Sequence, residues 1–335
     1  MIDKSKTAVV IYNLGGPNKN SDIKKFLFNL FYDKSIINLR NPFRYILAKF
    51  ISTFREKEAR LNYDKIGGKS PLLENTLSQK QALEKEINPE IFKVFICMNH
   101  MYPMPQDTID EIEKYSPSKI ILLPLFPQFS TTTTGSFIKK WDKEIKKRSL
   151  KYEHRKICCY FSNSNFIKSY SKILKKTYIE SINEKKPYII FVAHGLPKKI
   201  IDDGDPYQWQ VENTVLEIIK KSNIKDIEYI LAYQSRVGPI SWIKPYADEV
   251  IIQAAKKNKN ILVIRISFVS EHVETLVELD IEYKELAINN GAYSYTRAPT
   301  VSNDEDFINA LKDLIINENP QERLCPKQYC KCIKQ

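Results

Sequence analysis

The sequence lacks the features that would place the chain in a membrane or send it out of the cell. Its longest apolar runs are interrupted well before the roughly 18–20 residues that a bilayer span requires. The opening residues, MIDKSKTAVVIYNL, carry two lysines and an apolar run but no small-residue cleavage site, which is typical of a first strand. We therefore expect a cytoplasmic protein of 335 residues, long enough for one large domain or two ordinary ones.

Signatures of nucleic-acid binding are also missing. The net charge is +12, but the lysines are scattered along the chain, and no helix-turn-helix or RNA-binding motif accompanies them. The glycine pair Gly15-Gly16 follows an apolar run, yet it fits neither the dinucleotide-binding nor the Walker pattern. Nucleic acid is therefore not an expected partner.

The chain has few cysteines, and a disulfide framework is not expected in a cytoplasmic protein of this size. Three of the six lie together near the end of the chain, which makes that segment a candidate metal-binding tail. The six cysteines are Cys97, Cys158, Cys159, Cys325, Cys330 and Cys332.

Short apolar runs alternate with helical stretches along the whole chain, which predicts parallel α/β sheets. No Gly/Ser linker separates the two halves, so we expect them to pack closely. The predicted domains are 1–160 and 161–318, each with a four-stranded parallel sheet flanked by helices, followed by a tail, 319–335. The predicted strands are 7–14, 92–98, 119–126 and 156–161 in the first half, and 188–193, 229–233, 261–266 and 292–295 in the second.

A stripe of carboxylates and a histidine are the candidate reactive groups. On an α-helix predicted for 271–286, glutamates spaced by three, four and four residues share one face, with His272 beside them. Most such stripes are solvated faces, and a lone histidine is usually structural. His194, however, ends a predicted strand of the same half, at the strand edge where ligands of α/β sheets bind. Imidazole and carboxylate together are ligands for Fe²⁺ and proton acceptors. The glutamates are Glu271, Glu274, Glu278 and Glu282.

The segment 40–60 is apolar, aromatic and basic. This character suits a lip that meets a membrane surface or a flat apolar ligand. An ordinary helix packed on the core explains the pattern equally well.

Several motifs together resemble the ferrochelatase family, whose members insert ferrous iron into a porphyrin in haem synthesis. The resemblance extends over nearly the whole chain and implies two similar Rossmann-like domains with a porphyrin cleft between them. The motifs are NLGGP at 13–17, YDKIGGKSPL at 63–72, PLFPQFSTTTTGS at 124–136, VAHGLP at 192–197, YQSRVGP at 233–239 and FVSEHVETLVELDIEY at 268–283.

The resemblance implies roles for individual residues. His194 and Glu274 would be the catalytic pair at the substrate iron, with Glu271, His272, Glu278 and Glu282 as an acidic path beside them. The residues implied on the porphyrin side are Tyr12, Arg55, Tyr63, Ser70 and Trp242. A free-base porphyrin loses two pyrrole protons as Fe²⁺ enters, so the site needs a base and weak, exchangeable ligands.

Two positions depart from the family. Asn99 stands where an arginine is often found, and Thr131 stands where the animal-type cluster cysteine would be. A [2Fe–2S] cluster needs four thiolates, so Cys158 or Cys159 would have to complete a set with the tail cysteines Cys325, Cys330 and Cys332. A zinc site with these ligands, or a tail without metal, are the alternatives.

The expected function is a ferrochelatase that forms protohaem from protoporphyrin IX, with peripheral membrane contact and an oligomeric state that the sequence leaves open. The rival hypotheses are a chelatase for coproporphyrin or another divalent metal, and a non-catalytic tetrapyrrole- or metal-binding protein.

Overall fold

The structure is a computed structural model that describes residues 3–317 and 323–333. Of the predicted tail, residues 319–322 and 334–335 lie outside the described residues.

The first sheet contains four parallel strands in the order β2-β1-β3-β4. The strands are β1 (Asp3–Asn13), β2 (Phe92–Met98), β3 (Pro117–Pro124) and β4 (Glu153–Lys156). The helices of this part are α1 (Ile23–Phe31), α2 (Phe43–Asp64), α3 (Leu72–Glu84), α4 (Pro105–Tyr115) and α5 (Thr134–Lys147), with a short 3₁₀ turn at Asn20–Asp22.

The second sheet repeats the same parallel order, β6-β5-β7-β8. Its strands are β5 (Pro187–His194), β6 (Glu228–Gln234), β7 (Asn260–Arg265) and β8 (Ser294–Arg297). The helices are α6 (Ser164–Ser181), α7 (Lys198–Asp202), α8 (Tyr207–Ser222), α9 (Ala247–Lys256), a π-helix (Glu274–Glu282), α10 (Tyr283–Asn289) and α11 (Glu305–Ile316). The predicted fold class, parallel α/β sheets covered by helices, is confirmed.

The central strand of each sheet is apolar and fully buried. Residues 8–12 of β1 and 189–193 of β5 have no exposed surface. Parallel strands are covered on both faces, so they consist of continuous apolar runs and do not alternate with polar residues. In the second sheet, α9 and α10 cover one such face, with Ala247, Ile251 and Ala287 packed against β5 and β7 residues.

The predicted fourth strand is misplaced. Strand β4 ends at Lys156, and the apolar run 157–161 that follows it is buried without strand pairing. The run was interpreted as a strand because it is apolar, but burial of a connecting segment produces the same composition. Cys158 and Cys159 therefore do not lie on a strand, contrary to the strand predicted for 156–161.

The predicted α-helix over 271–286 is also different in the structure. A π-helix runs from Glu274 to Glu282, and α10 continues it from Tyr283 to Asn289. The backbone N–H of Tyr283 bonds the carbonyl of Glu278, five residues earlier. Such i→i+5 turns are rare in α-helices and occur often at functional sites.

The described residues divide into two compact units. A short segment late in the chain belongs to the first unit, although the residues before and after it belong to the second. The first unit contains residues 3–159 together with 311–317, and the second contains Tyr160–Ala310 and Arg323–Ile333. Within the first unit, Arg155 donates to the carbonyls of Leu314 and Ile315 at 2.6 and 2.9 Å, so the last turn of α11 is tied to β4.

Helix α2 forms most of the segment expected to be a lip. Its apolar side chains are unusually exposed, with Phe43 and Phe54 each 69% accessible. No helix within residues 3–317 and 323–333 combines the length and the apolar character that crossing a membrane requires.

Candidate metal and porphyrin site

The central feature of the second unit is a histidine–glutamate pair at the carboxyl end of its sheet. His194 is the last residue of β5, and its Nδ1 lies 3.0 Å from Oε2 of Glu274. The histidine backbone is fixed on both sides, since its N–H donates to Ser267 Oγ at 3.0 Å and its carbonyl accepts from Tyr207 Oη at 2.9 Å. The side chains remain 31% and 26% exposed, so the pair is ordered and still accessible.

Glu274 is an ionised carboxylate in a mostly buried position. Burial raises its pKa, but His194 and Arg265 outweigh this effect, and the pKa of Glu274 lies well below its usual range. Oε2 of Glu274 also accepts a hydrogen bond from Nη2 of Arg265 at 3.0 Å. The carboxylate can therefore accept a proton or bind a cation at neutral pH, but it shares its charge with a guanidinium.

Glu278, one π-helical turn further on, has a contrasting environment. Its carboxylate accepts from Gln234 Nε2 at 2.6 Å, Ser235 Oγ at 2.7 Å and Tyr283 Oη at 3.0 Å. Burial and the negative charge of Glu274 together raise the pKa of Glu278. Two neighbouring carboxylates whose pKa values are pushed in opposite directions are suited to opposite proton-transfer roles.

The other residues of the predicted acidic path do not form one continuous stripe. Glu271 is paired with Arg297 at 2.9 Å, and this cation lowers the carboxyl pKa although burial opposes the effect. His272 is buried, and burial lowers its pKa to about 3, so its ring is neutral. Glu282 is exposed at the end of the π-helix.

Trp242 lies against the residues that directly follow His194 in the chain. The Trp242 backbone pairs with Pro197 in an isolated antiparallel bridge. A Cβ atom on Gly195 would lie 3.4 Å from Cε3 of the Trp242 ring and 2.8 Å from the carbonyl of Gln234. Glycine at 195 therefore lets the indole and β6 approach the strand end next to the histidine.

In the first unit, two predicted porphyrin-side residues come together. Tyr63 and Ser70 are buried near the Gly15-Gly16-Pro17 turn, and Ser70 N–H donates to the Pro17 carbonyl at 2.8 Å. A Cβ on Gly16 would come within 2.5 Å of Ser70, so only glycine permits this contact.

Tyr12 and Arg55 have different surroundings. Tyr12 is fully buried in β1 and stacks on Phe137 with ring centroids 3.7 Å apart, so its ring is part of the core. Arg55 is half-buried on α2. Contacts of either residue with a porphyrin stay predictions.

A second polar cluster lies after β2 in the first unit. The Lys140 ammonium contacts Asp33 Oδ2 at 2.9 Å and His100 Nδ1 at 3.2 Å, and it donates to the Asn99 carbonyl at 3.1 Å. Asn99 donates to Ser136 Oγ at 3.1 Å. Asn99, which departs from the family pattern, is thus part of a buried, internally paired network.

The cysteines of the tail make separate contacts in the second unit. Cys325 Sγ accepts from Gln210 Nε2 at 3.0 Å, while Cys330 Sγ lies 3.7 Å from the carbonyl of Asp203. Within the described part of the chain, no group of three or more histidine, cysteine, aspartate or glutamate side chains could hold a metal ion. The thiols as placed therefore do not fit a four-thiolate cluster.

Sequence reasoning missed two residues that define the site. Arg265 ends the apolar strand β7, and Gln234 ends β6. Arg265 donates to the side-chain oxygen of Gln234, and the side-chain nitrogen of Gln234 donates to Glu278. A polar residue at the last position of an otherwise apolar parallel strand is a signal for a site residue, because ligands bind at that edge.

The fold is shared with solved structures of another protein, SirB. Two solved structures of SirB from Bacillus subtilis are similar. One, with Fe³⁺, has a TM-score of 0.57 and 9% identity over 92% of this chain and 94% of that chain. The other, a sirohydrochlorin chelatase in complex with cobalt, has a TM-score of 0.53 and 10% identity over 92% and 93%.

Sequence similarity identifies the family. The Ferrochelatase family model matches residues 6–319. Proteins named ferrochelatase from Rickettsia bellii (strain OSU 85-389) and Pelagibacter ubique (strain HTCC1062) are 48% and 46% identical to this chain. The matches cover 99% of this chain and 96% of the first relative, and 98% of both this chain and the second. The chain belongs to the ferrochelatase family, and the predicted enzyme class is confirmed.

Proposed function

We propose that the chain inserts Fe²⁺ into protoporphyrin IX to give protohaem, with His194 and Glu274 at the reacting centre. The observation that supports this proposal is the 3.0 Å contact of imidazole and carboxylate at a strand end, where both remain partly accessible. A chelatase must accept two pyrrole protons and release iron to the ring. Two neighbouring nitrogen and oxygen ligands suit both tasks, because they leave most of the coordination shell open to substrate.

The proton route follows from the carboxylate pair. Glu274 and His194 would accept the pyrrole protons, since the carboxylate is ionised at neutral pH. Glu278, with its raised pKa, would hold a proton more readily and pass it toward solvent. Glu271, His272 and Glu282 are proposed to complete the approach path for iron.

Porphyrin-side roles are proposed for individual residues in each unit. Tyr63 and Ser70 lie at the Gly15-Gly16-Pro17 turn, and Trp242 lies against Gly195, the residue after His194. Arg55 would donate to a propionate, a charge-assisted contact. Tyr12 would act through the packing of the strand that leads to this turn.

Peripheral membrane contact is supported by the exposed face of α2. Phe43, Ile46, Phe50 and Phe54 are each at least 57% accessible, on a helix that also carries basic residues. A helix with this surface can lie in the interface of an anionic bilayer. The cytoplasmic location stays a prediction.

The [2Fe–2S] cluster predicted for Cys158, Cys325, Cys330 and Cys332 has no part in this proposal, because the described thiols do not form a metal-binding group. Iron and acid-labile sulfide analysis of anaerobically purified protein tests the cluster directly. Zinc without sulfide would assign the tail to a structural zinc site.

Anaerobic incubation of the purified protein with Fe²⁺ and free porphyrins tests the function. We expect metalation of protoporphyrin IX to be faster than that of coproporphyrin. A preference for coproporphyrin, or for another divalent metal, would replace the substrate assignment. Binding of porphyrin and metal without insertion would indicate that the protein is a carrier and not an enzyme.

A further inference from the structure

Arg265 is a buried cation inside the proposed iron site, and neither proton acceptance nor iron ligation explains its presence. The side chain has no exposed surface, and it directly follows the apolar residues 261–264 of β7. A buried charge is costly unless it is paired and hydrogen-bonded. A cation retained at this position therefore has an effect that an apolar residue would not provide.

Its contacts fix the guanidinium against the reacting carboxylate. Nη2 donates to Glu274 Oε2 at 3.0 Å, and Nη1 donates to Gln234 Oε1 at 2.9 Å. The guanidinium carbon lies 4.4 Å from the centroid of the Phe268 ring, a cation–π contact. Nε is buried without a hydrogen-bond partner among the described residues. The group is thus held by its neighbours, and it is only partly satisfied by them.

The contacts of Glu274 with His194 and with Arg265 involve the same carboxylate oxygen. Glu274 Oε2 is the atom that contacts His194 Nδ1 at 3.0 Å and also the atom that accepts from Arg265. An iron ion bound between His194 Nδ1 and Glu274 Oε2 would share this oxygen with the guanidinium. Guanidinium remains protonated in proteins, so its positive charge opposes that of the metal at short range.

We propose that Arg265 is a positioning residue that weakens iron binding at Glu274, so that the metal is passed to the porphyrin instead of being retained. Gln234 extends the effect, because it accepts from Arg265 and donates to Glu278 at 2.6 Å. The two carboxylates are thereby joined through one cation and one amide. This inference rests on the proposed function, since it assumes that iron is a cargo and not a resident cofactor.

Metal affinity measured without porphyrin tests the inference. Co²⁺ is the probe, because its visible absorption separates nitrogen and oxygen ligation from thiolate ligation by the tail cysteines. His194→Ala, which should lose the site, supplies the background. We expect Arg265→Met to bind Co²⁺ about tenfold more tightly than the unaltered protein, which corresponds to about 1.4 kcal/mol. Arg265→Lys keeps the charge and should retain an affinity within about threefold, or about 0.7 kcal/mol.

Steady-state insertion gives a second readout. If Arg265 promotes release, Arg265→Met should lower KM for Fe²⁺ and kcat together, with unchanged porphyrin affinity. A purely structural role would lower the folded fraction and leave both constants of the folded enzyme unchanged. Arg265→Gln, measured in the same way, replaces the methionine variant if that variant does not fold.

Three results would overturn the inference: unchanged or weaker Co²⁺ binding in a folded neutral variant, tighter binding in Arg265→Lys, or full Co²⁺ binding in His194→Ala. Failure of the proposed function is distinguishable, because it would appear as absence of iron insertion by the unaltered protein. The Co²⁺ comparison would still report whether the guanidinium weakens metal binding.

Discussion

The two sheets have the same strand order, yet the polar clusters at their carboxyl ends differ in charge and accessibility. In the second unit, His194 and Glu274 are each about a quarter to a third exposed, and the carboxylate of Glu278 lies close enough for the charge of Glu274 to raise its pKa. In the first unit, His100 is fully buried, and Lys140 neutralises Asp33. The same topology therefore carries an open acidic site in one unit and a closed, ion-paired cluster in the other. Strand-end position identifies candidate residues, while side-chain exposure separates the reactive cluster from the structural one.

The largest expected difference is in the rate of iron insertion between variants of His194 and of His100. His194→Ala should lower iron insertion by about 10²–10⁴-fold, the usual contribution of a positioned proton acceptor, because it removes the imidazole at the reacting centre. Porphyrin affinity should change little. Anaerobic insertion kinetics and a porphyrin fluorescence titration measure the two effects.

His100→Gln is the matched control for that prediction. It changes the equivalent edge of the first sheet, so the folded enzyme should keep its kcat. Normal turnover in His194→Ala would exclude the imidazole from the mechanism. Glu274→Gln keeps the shape and removes the charge, and it should lose most of the activity as well.

The closed cluster should matter for stability. Asp33→Asn leaves the Lys140 ammonium without its carboxylate partner, and we expect a loss of about 3 kcal/mol in the free energy of unfolding. Urea denaturation measures this change. Asp202→Asn, which breaks the exposed pair with Lys198, is the control and should cost at most about 1 kcal/mol. Equal effects of the two substitutions would contradict the structural role of the buried cluster.

The same cluster predicts an acid dependence of stability. Burial lowers the pKa of His100 to about 3, with the Lys140 charge acting in the same direction and Asp33 opposing it. In the unfolded chain the His100 imidazole therefore binds a proton near pH 6.5, whereas in the folded chain it stays neutral at that pH. The stabilising effect is present above that pH and is lost as the pH falls toward 3, by about 1.4 kcal/mol per unit.

Denaturation of the unaltered protein and His100→Gln between pH 7 and pH 4.5 isolates this contribution. The variant should show the shallower decline. His154→Gln is the control, since His154 is only half-buried, although burial lowers its pKa as well. Parallel curves for His100→Gln and the unaltered protein would refute the assignment.

The smallest expected effect concerns the lip. Arg55→Ala should weaken porphyrin binding by about tenfold, the value of one charge-assisted hydrogen bond of about 1.5 kcal/mol. Metal affinity should stay unchanged. Lys57 is exposed on the same helix, so Lys57→Ala is the control for the loss of a positive charge alone. Equal porphyrin titration curves for Arg55→Ala and the unaltered protein would remove Arg55 from the binding surface.

The strands were predictable because buried parallel strands leave continuous apolar runs in the sequence. The π-helix was not, since the spacing of Glu271, Glu274 and Glu278 fits an α-helix equally well, and i→i+5 bonding depends on local packing. Strand β4 was misplaced because the run 157–161 is buried for tertiary reasons. Arg265 was missed because a single arginine within an apolar strand conveys nothing about its partner until Glu274 is positioned beside it.

The hydrogen bonds from Arg155 to the end of α11 have a consequence for protein synthesis. Residues 311–317 belong to the first unit by their packing, although nearly the whole second unit is translated before them. Domains often fold in order as they leave the ribosome. Here the first unit receives its contacts with residues 311–317 only after the intervening second unit has been translated, so a chain truncated before residue 311 leaves the β4 side of the first unit uncovered.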